Sequence, residues 1–468
     1  MDAGALTPLM PLTPLTPLTG RERMAAFALA AFVAVTRWFA LSKTLWDWDE
    51  ALFALALRDY DVSAYHPHPP GFPLFIGIAK LIPTDSFHAL QTIAFVASLF
   101  VFPAMFFLAR ALRATPPVAM GAGLLLAFFP NVWFYGGTAL SDVPSMVLVV
   151  TACALLLRGQ LVLGAIVLGI AAGFRPQNLL IGAVPLIQGA VSRARGGGDG
   201  GDFAPARRAL LTALFGPALI ITTIVIATYA TAASLSGGWD AYRDVLARHE
   251  SYIRNTDSFL SPKHPGLVQV ADDFFFRPYR APAINTIVTI LAAIALIRRR
   301  HLLILAIFGP FCVFAWLFLD FHSASRFSIG YMPLFAMLAA AGIPRRGYAA
   351  VTAAIIALML IWTWPALRVV HTTPSPPVAA IESLRTFPGT IYVDDRLGAH
   401  AELLIPDRTR RTVRITPPFV DAPNSALLRE GTGTTPDARN YTRDRARLAA
   451  IARPRYFEAS VIIERRPR

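Results

Sequence analysis

Hydrophobic positions along this chain come in long runs separated by short polar segments, and no run carries Asp, Glu, Lys or Arg near its middle. Runs close to the twenty residues that a helix needs to cross hydrocarbon fall at Met24 to Leu41, Phe87 to Ala109, Val118 to Tyr135 and Val143 to Leu157. Others lie at Leu161 to Phe174, Asn178 to Val191, Ala209 to Leu235, Ala283 to Ile297, Leu302 to Leu319, Phe327 to Ile343 and Ala350 to Val369. The pattern predicts an all-α polytopic membrane protein with about eleven spans.

The ends follow different rules. Residues 1–23 hold a Pro/Leu/Thr repeat that cannot form a helix, because proline removes backbone donors, and the expectation is a disordered cytoplasmic tail. No small-residue cleavage pattern follows Met24 to Leu41, so this run is expected to stay as the first membrane helix and not to be a signal peptide. Residues 24–370 form the expected membrane domain, with outer loops at 44–85 and 236–282. From 371 to 468 the hydropathy collapses and prolines cluster. Thr390 to Asp394, Arg411 to Ile415 and Ala459 to Ile463 read as strands, with a short helix after Asp395, predicting a small soluble α/β domain on the outer face.

Composition agrees: 55% of the 468 residues are hydrophobic and 15% charged, with a mean hydropathy of +0.51. The net charge of +14 raises the question of nucleic acid. Layout answers it, because the arginines cluster between apolar runs instead of forming a basic stripe, and no nucleic-acid partner is expected. With the N-terminus inside, Arg110/Arg113, Arg158, Arg193/Arg195/Arg207/Arg208, Arg298 to Arg300 and Arg345/Arg346 all face the cytoplasm, the side that retains positive loops. The outer segment Gly237 to Pro282 carries six Lys and Arg residues against this rule, as longer translocated segments do. Cys153 and Cys312 both lie in apolar runs, so neither a disulfide framework nor a Cys-rich zinc site is expected.

Chemistry gathers at the outer ends of the runs. Trp46-Asp47-Trp48-Asp49-Glu50 follows the first span, placing three carboxylates where partial desolvation raises basicity. The same tryptophans also fit an aromatic belt flanked by solvated acids. Further on, Pro69-Pro70-Gly71 stiffens a turn that holds His68 near headgroup depth, where an imidazole can donate to a phosphate. Asp142, in Thr138-Ala-Leu-Ser141-Asp142-Val-Pro144, reads equally as a site acid and as a helix N-cap. Arg175 breaks two runs on the outer side, facing either a phosphate or the lipid interface. A last motif, Phe321-His322-Ser-Ala-Ser-Arg326-Phe-Ser-Ile-Gly-Tyr331-Met-Pro333, supplies His322 and Arg326. No P-loop, Rossmann, His-Glu-x-x-His or nucleophile-elbow pattern occurs.

An Asp-Glu pair after the first helix, a His-Pro-Pro turn closing the first outer loop, a second acidic loop and a late His-x-x-x-Arg segment occur here in order. Together they resemble the GT-C glycosyltransferases, nearest to the protein O-mannosyltransferase and lipid A aminoarabinose transferase group. The resemblance implies transfer of a sugar from a polyprenyl-phosphate donor to an acceptor on the outer face, with inversion. The acceptor would be a glycan, lipid, protein or small molecule, and the Arg-, Ala- and Pro-rich composition with almost no Lys favours an enzyme set among the lipids of a bacterial inner membrane.

On this resemblance Asp49 is the general base, with Glu50 beside it and Asp47 as the competing choice. His68 stands where relatives often carry lysine and would bind the donor phosphate together with Arg326, Arg175 and His322. Asp142 belongs to the second acidic loop, orienting the acceptor or holding Arg326 or a metal. A lipid-phosphate leaving group does not demand a divalent ion, so no cofactor is obligatory, although Asp47-x-Asp49 offers hard oxygens to magnesium or manganese. The rival class is a transporter or lipid flippase, which favours midplane carboxylates and inverted repeats with broken helices. A third reading is a relative that has lost activity and serves as a scaffold.

Overall fold

A computed structural model describes residues 17–195, 203–262, 264–299, 301–413, 424–432, 438–442 and 458–464. Most of the expected tail, and residues 414–415 of the second expected strand, lie outside the described residues.

The structure is mainly helical. Several runs appear as single helices near their predicted bounds: Asp142–Leu157, Leu161–Phe174, Asn178–Arg195, Pro282–Ile297, Leu303–Phe318 and Tyr348–Thr372. Others break, each at a proline. The run Phe87 to Ala109 is two helices, Ser86–Leu99 and Val101–Ala111, bent by 42°. Pro103 has no N–H for the carbonyl of Leu99, so the ladder opens between them. Likewise Pro130 divides Val118 to Tyr135 into Pro116–Phe128 and Pro130–Tyr135. Ahead of Pro333, the run from Phe327 begins as the short helix Ala324–Phe327 and the tight 3-10 turn Ser328–Tyr331, becoming helical again at Met332–Gly342.

Among the described residues three stretches are long and apolar enough to cross a membrane, Gly20–Ala40, Arg208–Leu235 and Tyr348–Ser383, or four if the bent pair is one span. Five further apolar helices are shorter. Phe27, Phe215 and Ile361 on the long helices are more than 70% exposed, an arrangement suited to lipid and costly in water.

The first outer loop is more ordered than a solvated loop. It folds into the helices Trp48–Arg58 and Pro73–Ala79, whose Phe53 and Phe75 are fully buried in the main core. Trp46 is buried there too, so it is not a member of an exposed aromatic belt. Opposite lies the loop after Pro130–Tyr135. Gly137 comes so close to the end of the first span, where the chain turns into the first outer loop, that a Cβ would sit 1.8 Å from the Ala40 carbonyl oxygen. Its own carbonyl accepts from the Ser42 N–H at 2.9 Å and from Gln91 Nε2 at 2.8 Å. A residue without a side chain is what lets these two loops meet.

The C-terminal part has its own apolar core. Five strands, β1 (Thr390–Asp394), β2 (Arg410–Val413), β3 (Ser425–Glu430), β4 (Ala438–Thr442) and β5 (Glu458–Glu464), form one sheet in the order β2-β1-β3-β5-β4. The strand β1 runs parallel to β2 and β3, and β5 is antiparallel to both its neighbours. The helix Gly398–Leu404 docks on Trp48–Arg58, where Arg58 Nη1 donates to the Leu403 carbonyl at 3.1 Å. His66 lies 3.7 Å from Glu402 across the same junction.

Candidate active site

Two of the three acids of the Trp46–Glu50 segment, Asp47 and Glu50, are placed by helix capping. Asp47 is the N-cap of Trp48–Arg58, its Oδ1 accepting the Asp49 N–H at 3.1 Å. Glu50, in the first turn, reaches back so that one oxygen accepts the N–H groups of Asp47, at 2.7 Å, and Trp46. Its other oxygen accepts the Ala139 N–H at 2.7 Å, binding the first outer loop to the loop that precedes Asp142–Leu157. Glu50 is fully buried, and burial pushes its carboxyl up to about 7 against the pull of these three amides. Asp49 points the other way, with its side chain 20% exposed.

Across from Asp49 stands His68, its Nδ1 3.6 Å from Asp49 Oδ1. The turn that carries it is clamped from two sides. Tyr60 Oη donates to the Gly71 carbonyl at 3.0 Å, and Tyr242 Oη donates to the Pro70 carbonyl at 2.8 Å. Gly71 has φ +98°, and a Cβ there would lie 2.5 Å from Tyr60 Oη. His68 packs against Phe53 and Phe72. Burial lowers it to about 4, outweighing the attraction of Asp49, so at neutral pH this imidazole is uncharged.

Asp142 is the first residue of its helix, not the cap. Ser141 occupies the cap position, and its hydroxyl accepts from Arg175 Nε at 3.1 Å. The Asp142 carboxylate is thereby left for two arginines: Arg326 Nε donates to its Oδ2 at 3.0 Å, and Arg175 Nη2 lies 2.8 Å from the same oxygen. Arg326 Nη1 also bonds Asp49 Oδ2 and lies 3.4 Å from Asp47 Oδ1. Burial alone would lower the Arg326 guanidinium, but the three carboxylates hold it well above its usual range. Asn131 Nδ2 fixes the arginine's segment, donating to the Ser325 carbonyl at 2.9 Å and to Ser328 Oγ at 3.0 Å. A small cavity of about 20 Å³ adjoins Asp142 and Arg175.

Among solved structures, ArnT from Cupriavidus metallidurans bound to undecaprenyl phosphate matches with a TM-score of 0.52 at 13% identity, over 95% of this chain and 100% of that one. The chain has the fold of the GT-C glycosyltransferases. An oligosaccharyltransferase from Archaeoglobus fulgidus, tethered with an acceptor peptide, matches at TM-score 0.47 and 11% identity over 83% of this chain. The match spans 64% of that protein, under two thirds of its length. The arabinofuranosyltransferase AftD from Mycobacteria matches at TM-score 0.44 and 15% identity, over 86% of this chain and 34% of that one. No protein-family model and no curated protein matches the sequence.

Within this GT-C fold, Asp47, Asp49, Asp142, Arg175, Arg326 and His68 come together, and Glu50 underlies them as a bolt between loops. His322 does not join them. It is exposed, its ring against Phe321 and its N–H on Asp320 at 2.8 Å, outside the Arg326 ion cluster. One further residue was not foreseen. His249, on the helix Trp239–Tyr252 of the second outer segment, sets its ring 6.0 Å from those of His68 and Tyr65. Among the described residues no three His, Cys, Asp or Glu side chains are grouped to hold a metal ion. Asp47 and Asp49 instead converge on the Arg326 guanidinium.

Proposed function

We propose that the protein is an integral membrane glycosyltransferase that transfers a sugar, with inversion, from a polyprenyl-phosphate donor to an acceptor on the outer face of a bacterial inner membrane. The observation that carries this reading is the convergence of Asp49, Asp142, Arg175 and Arg326, from four separate segments, in one buried cluster whose outermost member is a carboxylate. ArnT, which shares the fold, was solved with undecaprenyl phosphate. Residues 24–370 carry the reaction, and 371–468 supply an outward domain whose helix Gly398–Leu404 rests on the site-bearing helix.

In this reading Asp49 accepts the proton of the acceptor hydroxyl or amine as that group attacks the anomeric carbon on the face opposite the phosphate. The bond from carbon to phosphate oxygen breaks, and polyprenyl phosphate departs with the electron pair. Arg326 and Arg175 stabilise the charge that collects on it, in a site dry enough for that attraction to count. His68, neutral, contributes a hydrogen bond and no charge. Asp47 and Asp142 hold the arginines, and Glu50 holds the loops.

The test is release of polyprenyl phosphate from a panel of synthetic polyprenyl-phosphate sugars, using protein in nanodiscs with a membrane extract as acceptor source. Release from one sugar, lost in Asp49→Asn, is expected. Silence across the panel, with no binding of polyprenyl phosphate, moves the reading to a transporter or flippase.

A further inference from the structure

As it stands, the ion cluster is closed to a phosphate. Arg326, 2% exposed, places Nη1 on Asp49 and Asp47 and Nε on Asp142. Its Nη2 is buried and has no hydrogen-bond partner among the described residues. Of the three carboxylates Asp49 is the outermost, at 20% exposure against 6% for Asp47 and 4% for Asp142. An anion arriving from outside therefore meets Asp49 before it meets the guanidinium.

On the other side of Asp49 two imidazoles wait. His68 Nδ1 is 3.6 Å from Asp49 Oδ1, and the His249 ring is tilted 39° to that of His68. Both Nδ1 atoms are buried and have no hydrogen-bond partner among the described residues. His249 is fixed there because its helix is pinned by Tyr242 to the Pro70 carbonyl.

We infer that Asp49 exchanges partners when the donor binds, leaving Arg326 for the His68–His249 imidazole pair, and that His249 is a positioning residue for the base. The inference rests on the glycosyltransferase reading. The donor phosphate takes the place of Asp49 on Nη1 and engages the idle Nη2, so that the guanidinium grips two oxygens side by side. Asp49, released, is oriented by His68, which His249 backs. The acceptor's O–H (or N–H) bond then breaks with its proton passing to Asp49, while the bond to the anomeric carbon forms and phosphate leaves with its electron pair. The base becomes competent only with donor in place.

Binding of undecaprenyl phosphate to the full chain in nanodiscs tests the exchange. Asp49→Asn is expected to bind about tenfold more tightly than wild type, since the phosphate no longer competes with a carboxylate. Asp47→Asn also removes one negative charge and is expected to change affinity about threefold or less. Equal or weaker binding by Asp49→Asn, with wild type binding normally, overturns the exchange and leaves the transferase reading standing. No binding by any of the three overturns both. For His249, the Ala variant is expected to lose about tenfold in kcat at unchanged donor KM, and His249→Gln, which keeps an N–H donor, to recover most of that loss. A raised donor KM at intact kcat would place His249 on the phosphate and overturn its assignment.

Discussion

Arg326 and Asp142 lie 184 positions apart in sequence and are joined by a 3.0 Å hydrogen bond that closes the site from below. Because Arg175 shares the same carboxylate oxygen, Asp142 is a common counter-ion for two buried guanidinium groups. Removing one partner of a buried pair strands the other's charge, at about 3–5 kcal/mol. Asp142→Ala should cost that much in thermal or denaturant unfolding. The double variant Asp142→Ala/Arg175→Met should recover part of it, since one stranded charge goes with the second substitution. No recovery would mean that Asp142 stabilises the fold by some route other than these arginines.

Asp49 and Glu50 are adjacent in sequence and opposite in consequence. Glu50→Ala leaves the N–H groups of Trp46, Asp47 and Ala139 without their acceptor, and each such buried group costs about 1–3 kcal/mol. Glu50→Ala should therefore unfold several kcal/mol more easily. Asp49→Asn should keep nearly full stability and lose roughly 10²- to 10⁴-fold in transfer rate. Paired unfolding and transfer assays on both variants check this, and a stable, inactive Glu50 variant would reassign the base.

The sequence shows most clearly what depends on local pattern. Leu161–Phe174 and β1 appear where hydropathy and alternation place them. Helix breaks at Pro103, Pro130 and Pro333 are lost when hydropathy is averaged over long windows, although each proline is visible. Asp47-Trp-Asp-Glu50 matches a capping-box spacing, a structural use that is hidden when all three acids are weighed as chemistry. Tyr242, Val245 and His249 follow helical periodicity and pack inward, yet their segment was read by its charge count. The strand β3, Ser-Ala-Leu-Leu-Arg-Glu, is made mostly of good helix formers, and its pairing with β1 and β5 overrides that preference. The Glu50–Ala139 bridge has no local signature at all.

Burial of His68 and Glu50 gives stability an opposing pH dependence in overlapping windows. His68 is lowered from 6.5 to about 4, so between those values the unfolded chain binds a proton that the folded one refuses. Its contribution weakens as pH falls from 6.5 towards 4. Glu50 is raised from 4.5 to about 7, so its contribution is full below 4.5 and fades as pH rises through 7. Each effect is at most about 3–4 kcal/mol, a tenfold change in proton affinity being worth about 1.4 kcal/mol. Relative to wild type, His68→Gln should therefore gain stability as the medium is acidified, and Glu50→Gln should gain it as pH rises. Melting temperatures of the three proteins between pH 4 and 8 measure both trends, and parallel curves would show that neither group titrates as its burial requires.

Chelation should leave the transfer reaction nearly unchanged. The Asp-x-Asp spacing of Asp47 and Asp49 suits a hard divalent ion, but the space between these carboxylates is taken by Arg326 Nη1. A magnesium or manganese ion there would have to expel a guanidinium that also binds Asp142, and a buried arginine without its carboxylates is strongly disfavoured. The charge on the departing phosphate can instead be met by Arg326 and Arg175, which are already in place and need no ion to be recruited. Treating the protein with EDTA is thus expected to change the rate of polyprenyl phosphate release by less than about twofold, whereas Arg326→Lys, which keeps the charge but loses the fork, should slow it by about 10²-fold or more. A tenfold loss on chelation that magnesium or manganese restores would put an ion between the two aspartates and require Arg326 to move aside before every turnover.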